Sequence, residues 1–208
     1  KKKYNIKYKN IDLSKKLLGF GSQTSAYIRN FVKIENKRPS DIIEIHNRPS
    51  YLLSISQKYD KAKFILVIHN DPLNLKGSIT INERIRLLKI CYKIYFVSSW
   101  VEEKFFHGLD KNFHTNFKTI YPSINKISKF PKKKKVIIFS GKLNNAKGFD
   151  KFASAISKIL NKYNDWKAIA IGDEPRERYN FSHKRLTYTG WIPQDKVLNL
   201  YNHSSITV

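Results

Sequence analysis

Residues 136–152 read VIIFSGKLNNAKGFDKF, and the change of period inside this stretch decides the fold. Val136-Ile137-Ile138-Phe139 is short, apolar and rich in β-branched residues, as expected of a strand buried on both faces. From Phe149 onward the apolar residues Phe152, Ala153, Ile156, Ile159 and Leu160 return at spacings of three and four, the pattern of a helix with one apolar face. Between the two lies a polar, glycine-flanked turn that carries Lys142 and Lys147. A strand that runs through a loop into a helix exposes unpaired backbone N–H groups and the positive end of the helix dipole, which attract an anion. Two ammonium groups beside such an end point to a phosphate ligand. On spacing alone, a pair of surface lysines in a lysine-rich chain fits equally well.

The same alternation extends outward in both directions. Strands are expected at 41–46, 63–69, 93–98, 117–121, 135–140, 166–171, 186–189 and 205–208, with helices at about 22–36, 49–59, 80–91, 99–107, 149–163 and 194–203. Strand and helix repeated this often predict an α/β protein with parallel sheets covered by helices. The regularity breaks once, at SINKISKFPKKKK (123–135), which holds a proline and four consecutive lysines without period. The reading is two Rossmann-like domains, residues 1–125 and 136–208, joined by a linker at 126–135.

Composition narrows the setting. With 208 residues, 41% hydrophobic and 13% aromatic, the chain has enough apolar surface for packed cores. Its single cysteine, Cys91, falls in an apolar helical pattern, so no internal disulfide forms and a reducing, cytoplasmic setting is expected. No apolar run reaches the length of a membrane span, and the basic start KKKYNIKYKN lacks the apolar core of a signal peptide. The formal charge of +24 fits nucleic acid or an anionic membrane surface. Abundant Lys, Asn and Ile beside scarce Arg also follow from an AT-rich genome, which weakens charge as functional evidence. Aromatic residues fall in strand and helix patterns instead of interleaving with the basic ones, which argues against a nucleic-acid surface. The absence of Met and the apolar end Ile206-Thr207-Val208 read as an internal piece of a longer protein.

Ligands of open parallel sheets bind beyond the carboxyl ends of the strands, and those positions are polar here. They hold His46-Asn47-Arg48, His69-Asn70-Asp71, Ser98-Ser99, Ser140-Gly141-Lys142 and Gly172-Asp173-Glu174. The last of Gly141, Lys142, Lys147 and Gly148 is followed by Phe149, not by Lys and a hydroxyl residue, so this is no nucleoside-triphosphatase loop. His46 and His69, in the repeated IEIHN and LVIHN, can bond a substrate hydroxyl or act as acid or base, or be held in loop hydrogen bonds. A zinc site with Asp71 is the competing reading, although the spacing follows no common zinc pattern. Gly19-Phe20-Gly21 lacks the third glycine of a dinucleotide fingerprint. Gly172 would let a loop approach a ligand, while Glu174, Arg176 and Glu177 read as exposed at a helix start.

These residues together resemble a known family. FSGKLNNAKGFDKF looks like the arginine-and-lysine turn of retaining glycosyltransferases with the GT-B fold, family 4 (glycosyl transferases group 1), with Lys142 where arginine is usual. DIIEIHN, FILVIHNDP, FVSSWVEEKF, IYPSIN, AIAIGDEP and LTYTGWIPQDKVLNLYNHSSITV follow in the family's order, so the likeness spans about residues 40–208. It implies two Rossmann-like domains, incomplete at both ends, with a nucleoside-diphosphate sugar in the cleft between them. Gly141, Lys142 and Lys147 would bind the donor diphosphate, doing what a metal does in other transferases, so neither metal nor other cofactor is expected. His69 would be catalytic, near the transferred sugar and acceptor, with His46, Arg48, Ser98 and Gly172 lining the cleft. The implied activity is hexosyltransferase-like: sugar passes, with retained configuration, to a glycan or lipid-linked acceptor of the cell envelope. Partners would be that donor and acceptor, with peripheral contact to an anionic inner membrane face and no nucleic acid. A GT-B nucleotide-sugar epimerase and a basic nucleic-acid-binding protein are the rival readings. Lysine at 142 gives up the planar, two-point grip of arginine on phosphate, and the family's glutamate pair belongs beyond Val208.

Overall fold

A computed structural model describes residues 23–110, 112, 115–124, 131–175 and 181–208. The chain divides into two compact units, Lys1–Ile124 and Asn125–Val208. In the first, α1 (Gln23–Glu35), β1 (Ile42–His46), α2 (Pro49–Ile55), β2 (Lys63–Ile68), α3 (Ile81–Ile90), β3 (Lys93–Phe96), α4 (Ser99–Phe106) and β4 (Phe117–Thr119) succeed one another. The strands form one parallel sheet in the order β1-β2-β3-β4. One face of each strand supplies Ile43, Leu66, Ile68, Ile94 and Phe96 to a core closed by Leu52, Ile55, Leu87 and Phe105. Thr80 and Glu83 cap α3 reciprocally, each side chain accepting from the other's backbone N–H. The buried Arg84 guanidinium donates to the carbonyls of Phe105 and His107, tying α3 to the end of α4.

The second unit runs β5 (Lys134–Ser140), α5 (Phe149–Lys162), β6 (Lys167–Ile171), β7 (Leu186–Gly190), α6 (Gln194–His203) and β8 (Ser204–Thr207). Its parallel sheet has the order β7-β6-β5-β8. The chain moves outward from β5 to β7 and then returns to the other side of β5, so the strand order reverses between β5 and β8. The crevice at such a reversal is where open α/β sheets hold ligands. Ile137, Phe139, Phe149, Phe152, Ile156 and Leu160 form the core beneath α5.

The expected α/β class, with two parallel sheets of Rossmann-like kind, is what the structure contains. Differences lie at the ends of elements. Helix α2 stops at Ile55, four residues before the expected 59, where Ser56 takes the C-cap position and Lys58 N–H bonds back to Ile55. Lys134, read as linker, is the first residue of β5, and Lys135, given both to the linker and to the strand 135–140, is the second. Lys134 is paired with Ser204, and Lys135 is ion-paired with Asp165. The linker residues 126–130 and the turn at 19–21 lie outside the described residues. Cys91 is not inside α3; it is the C-cap residue, and burial pushes its thiol up to about 12. A thiol so placed is almost never a thiolate near neutral pH. Among the described residues no helix is long and apolar enough to cross a membrane.

Phe149 is fully buried at the first position of α5 and contacts Phe139 and Phe152 with ring centroids 5.2 and 5.8 Å away. Replacing Phe149 by Ala should lower the free energy of unfolding by about 3–5 kcal/mol in urea titration, the range for deleting a buried aromatic ring.

Candidate functional site

The loop leaving β5 is shaped by its own backbone. Asn144 caps a short 3-10 turn (Asn145–Lys147) by accepting from Lys147 N–H at 3.1 Å, and its carbonyl accepts from Phe149 N–H. Gly148 then takes a left-handed conformation (φ 74°), which a glycine adopts at little cost, and α5 begins without a side-chain cap. Lys147 is exposed, and a Cβ added at Gly141 would meet its Cβ and Cγ at 3.9 Å, so the lysine stem lies along the glycine. Asp150 already places one carboxylate in the first turn of α5.

The loop leaving β6 presses against this one. Gly141 N–H donates to Ile171 O and Gly172 N–H to Gly190 O, each at 3.0 Å. Gly172 has φ 128°, and an added Cβ would sit 1.9 Å from Gly141 O. Gly172 therefore serves close approach of backbone to backbone, and the residue two positions on, Glu174, is carried inward. Contrary to the expectation of an exposed residue, the Glu174 side chain is 3% exposed, with Oε2 3.7 Å from Nζ of the 60% exposed Lys142. Arg176 and Glu177 lie outside the described residues. Gly141, Lys142, Lys147, Gly172 and Glu174 thus share one end of the second sheet, and Lys142 already has a carboxylate beside it.

In the first unit, β1 and β2 end side by side with His46 in register with Val67. His46 Nδ1 and His69 Nε2 are 2.9 Å apart, their rings stacked with centroids at 5.2 Å. His46 Nε2 lies 2.5 Å from Glu44 Oε1. Asn47, at φ 55°, accepts from the backbone N–H groups of His69 and Asn70 at 3.2 Å, clamping one strand end to the other. Arg48 stacks over Tyr51 at 5.8 Å. Glu44, His46, Arg48, Tyr27, Phe31 and Tyr51 line a cavity of about 540 Å³. Ser98, expected to line a cleft, accepts from Val101 N–H as the N-cap of α4. Asp71 is turned to Leu73 N–H and Asn74, away from a ligand set, and the described residues contain no group of three side chains arranged to hold a metal.

Sequence reasoning missed Glu44, named Asn47 only as one of the polar residues after β1, and read Glu174 as exposed. Glu44 had a signal, since in IIEIH it alternates with Ile43 and Ile45 and so shares a face with His46. Nothing local marks Glu174 for burial.

Two parallel α/β sheets, each with polar loops at the carboxyl ends of its strands, give the chain two Rossmann-like units. Within it, residues 121–208 match the family described as Glycosyl transferases group 1, which is the stretch holding the Lys142–Lys147 loop. The glycosyltransferase resemblance read from the sequence therefore stands on an independent match there. Among solved structures, TarM is 12% identical with a TM-score of 0.59 over 90% of this chain and 40% of its own. MnaA of S. aureus, in a structure with UDP, is 14% identical with a TM-score of 0.57 over 100% and 60%. UDP-N-acetylglucosamine 2-epimerase from Rickettsia bellii is 12% identical with a TM-score of 0.55 over 88% and 54%. At these identities the likeness is one of fold. The chain spans 40% of the length of TarM and 60% of that of MnaA. No curated protein matches it by sequence.

Gly172→Ala should destabilise the protein by about 2 kcal/mol or more, because the substitution meets both a backbone clash and an unfavourable φ. Chemical denaturation measures this, and an unfolding midpoint equal to that of the parent would contradict the close approach.

Proposed function

We propose that the protein transfers a sugar from a nucleoside-diphosphate donor to a hydroxyl of a glycan or lipid-linked acceptor of the cell envelope, with retention of configuration. The observation that carries this reading is the coincidence of two findings in one unit. The match to group 1 glycosyl transferases covers the strand reversal between β5 and β8, and the loop there presents Gly141, Lys142 and Lys147. MnaA was solved with UDP, and the Rickettsia protein is named for a UDP-sugar, which supports a donor of that class.

In this reading the donor diphosphate lies against Gly141 and the start of α5, where backbone N–H groups and ammonium charge meet it. The lysines supply the positive charge that stabilises the departing nucleoside diphosphate, and no metal is required. The two are unequal. Glu174 beside Lys142 offsets that ammonium's charge, whereas no ion pair joins Lys147 to another described residue. Lys147 accordingly carries the larger share of the diphosphate's stabilisation. His69 acts on the hydroxyls of the transferred sugar or the acceptor. The work takes place in the cytoplasm or at the inner membrane face, where exposed lysines meet anionic lipid.

Lys147→Ala should weaken UDP binding or cut turnover by one to three orders of magnitude, equivalent to about 2–4 kcal/mol, with a smaller loss for Lys142→Ala. Calorimetry with UDP and UDP release from a panel of UDP-sugars read both, and unchanged kinetics in Lys147→Ala would remove the donor site from this loop. His69→Ala should depress transfer while UDP affinity stays within about threefold, a difference below 1 kcal/mol. Free epimerised donor formed without acceptor would instead favour the epimerase reading, to which the Rickettsia structure is one pointer.

A further inference from the structure

Parallel pairing puts residues in register on the same face. With His46 opposite Val67, the side chains of Glu44, His46, Val67 and His69 all project to one side of the β1–β2 pair. There they form a hydrogen-bonded string: Glu44 Oε1 to His46 Nε2 at 2.5 Å, then His46 Nδ1 to His69 Nε2 at 2.9 Å. We propose that Glu44 and His46 are positioning residues that fix the His69 ring and leave its Nδ1 as the atom that meets a sugar hydroxyl. This rests on the reading of His69 as a group acting in transfer.

The proton count follows from the donor and acceptor inventory alone. An ionised carboxylate accepts only, so the proton between Glu44 and His46 resides on His46 Nε2. Between the two rings one proton must sit, because two lone pairs facing each other at 2.9 Å repel. If both rings are neutral, that proton belongs to His69 Nε2, and His69 Nδ1 holds a lone pair that accepts from a hydroxyl. If the string gains one proton, His69 Nδ1 becomes an N–H donor, whichever ring holds the middle proton. The outer nitrogen therefore has two defined states, and no rotation of the ring is open to it while the string persists. Such fixing of the working tautomer by a carboxylate at the far end is a general way to orient imidazole. Around the string stand Arg48 at the entry to α2, Asp71 in the loop after β2, and the tyrosines Tyr27 and Tyr51 on α1 and α2. The Asp71 carboxylate is engaged by Leu73 N–H and Asn74, and Arg48 lies over the Tyr51 ring, so neither breaks the line from Glu44 to His69. Asn47 holds the His69 backbone from beneath, which leaves the string to fix the ring.

The test combines a spectroscopic and a kinetic arm. In histidine-¹⁵N-labelled protein at about pH 8.5, well above an ordinary imidazole pKa near 6.5, NMR should detect a scalar coupling across the hydrogen bond between His46 Nδ1 and His69 Nε2. The Glu44→Ala variant should lose it. In parallel, UDP release from UDP-glucose and UDP-N-acetylglucosamine should slow roughly tenfold in Glu44→Ala, with UDP affinity unchanged and partial recovery in Glu44→Asp. Absence of the coupling in the parent, or parental turnover in Glu44→Ala while His69→Ala is inactive, overturns the positioning role and leaves the catalytic reading of His69 intact. Parental turnover in His69→Ala overturns that reading and this proposal together.

Discussion

Parallel pairing is the constraint on which the rest of the molecule depends. All strands of a sheet then end on one edge, and with helices laid on the faces that edge is where polar side chains can gather without burial. In the first unit this brings His46 and His69 into contact although they are 23 residues apart. In the second it sets the loops after β5 and β6 against each other until Gly141 and Gly172 touch through their backbones. The first needs only equal strand direction and a register that puts the right positions on the same face, whereas the second also needs a glycine at 172.

The alternation of strands and helices was legible because each element is short and its period is clean. Helix α5 shows this best: its apolar residues form a single stripe, and all those buried lie on it. Element ends were less legible, since they are set by caps and tertiary bonds. Helix α2 stops at Ile55 although the apolar pattern runs on to Tyr59, whose hydroxyl is 2.6 Å from Asn36 Oδ1 and 3.2 Å from Val32 O beside and on α1. The lysine run looked like linker up to Lys134, yet Lys134 already belongs to β5, where it pairs with Ser204 of β8. Charge and lack of period are local properties; pairing with a strand seventy residues later is not.

The candidate site divides in the same way. Residue types at strand ends, His46, His69, Gly141, Lys142 and Gly172, could be picked out one by one from where the apolar runs stop. Their partners could not, since those depend on which strands are neighbours. Ser98 shows the ambiguity of residue type: a hydroxyl at a strand end is equally what a helix start requires, and here it caps α4. For His69 and His46 the repeat IHN was visible, but the string that joins them to Glu44 needs the β1–β2 register before it can be drawn.

Lys142 and Glu174 carry the synthesis one step further. A chain that places lysine where the resembled family has arginine loses a planar group able to hold two oxygens at once, and gains a flexible point charge. A flexible ammonium beside an anion site is mobile unless something orients it. The nearly buried Glu174 carboxylate at 3.7 Å does so, drawing Nζ toward the loop after β6. The contact is loose and the lysine largely exposed, so its net worth to stability is small. In the proposed reading its value is directional, since it places a carboxylate beside the ammonium that would meet the donor. Two residues before Glu174, the missing side chain of Gly172 lets the β6 loop close on Gly141. A residue without a Cβ and, two positions on, a buried carboxylate thus lie at the same strand end as Lys142.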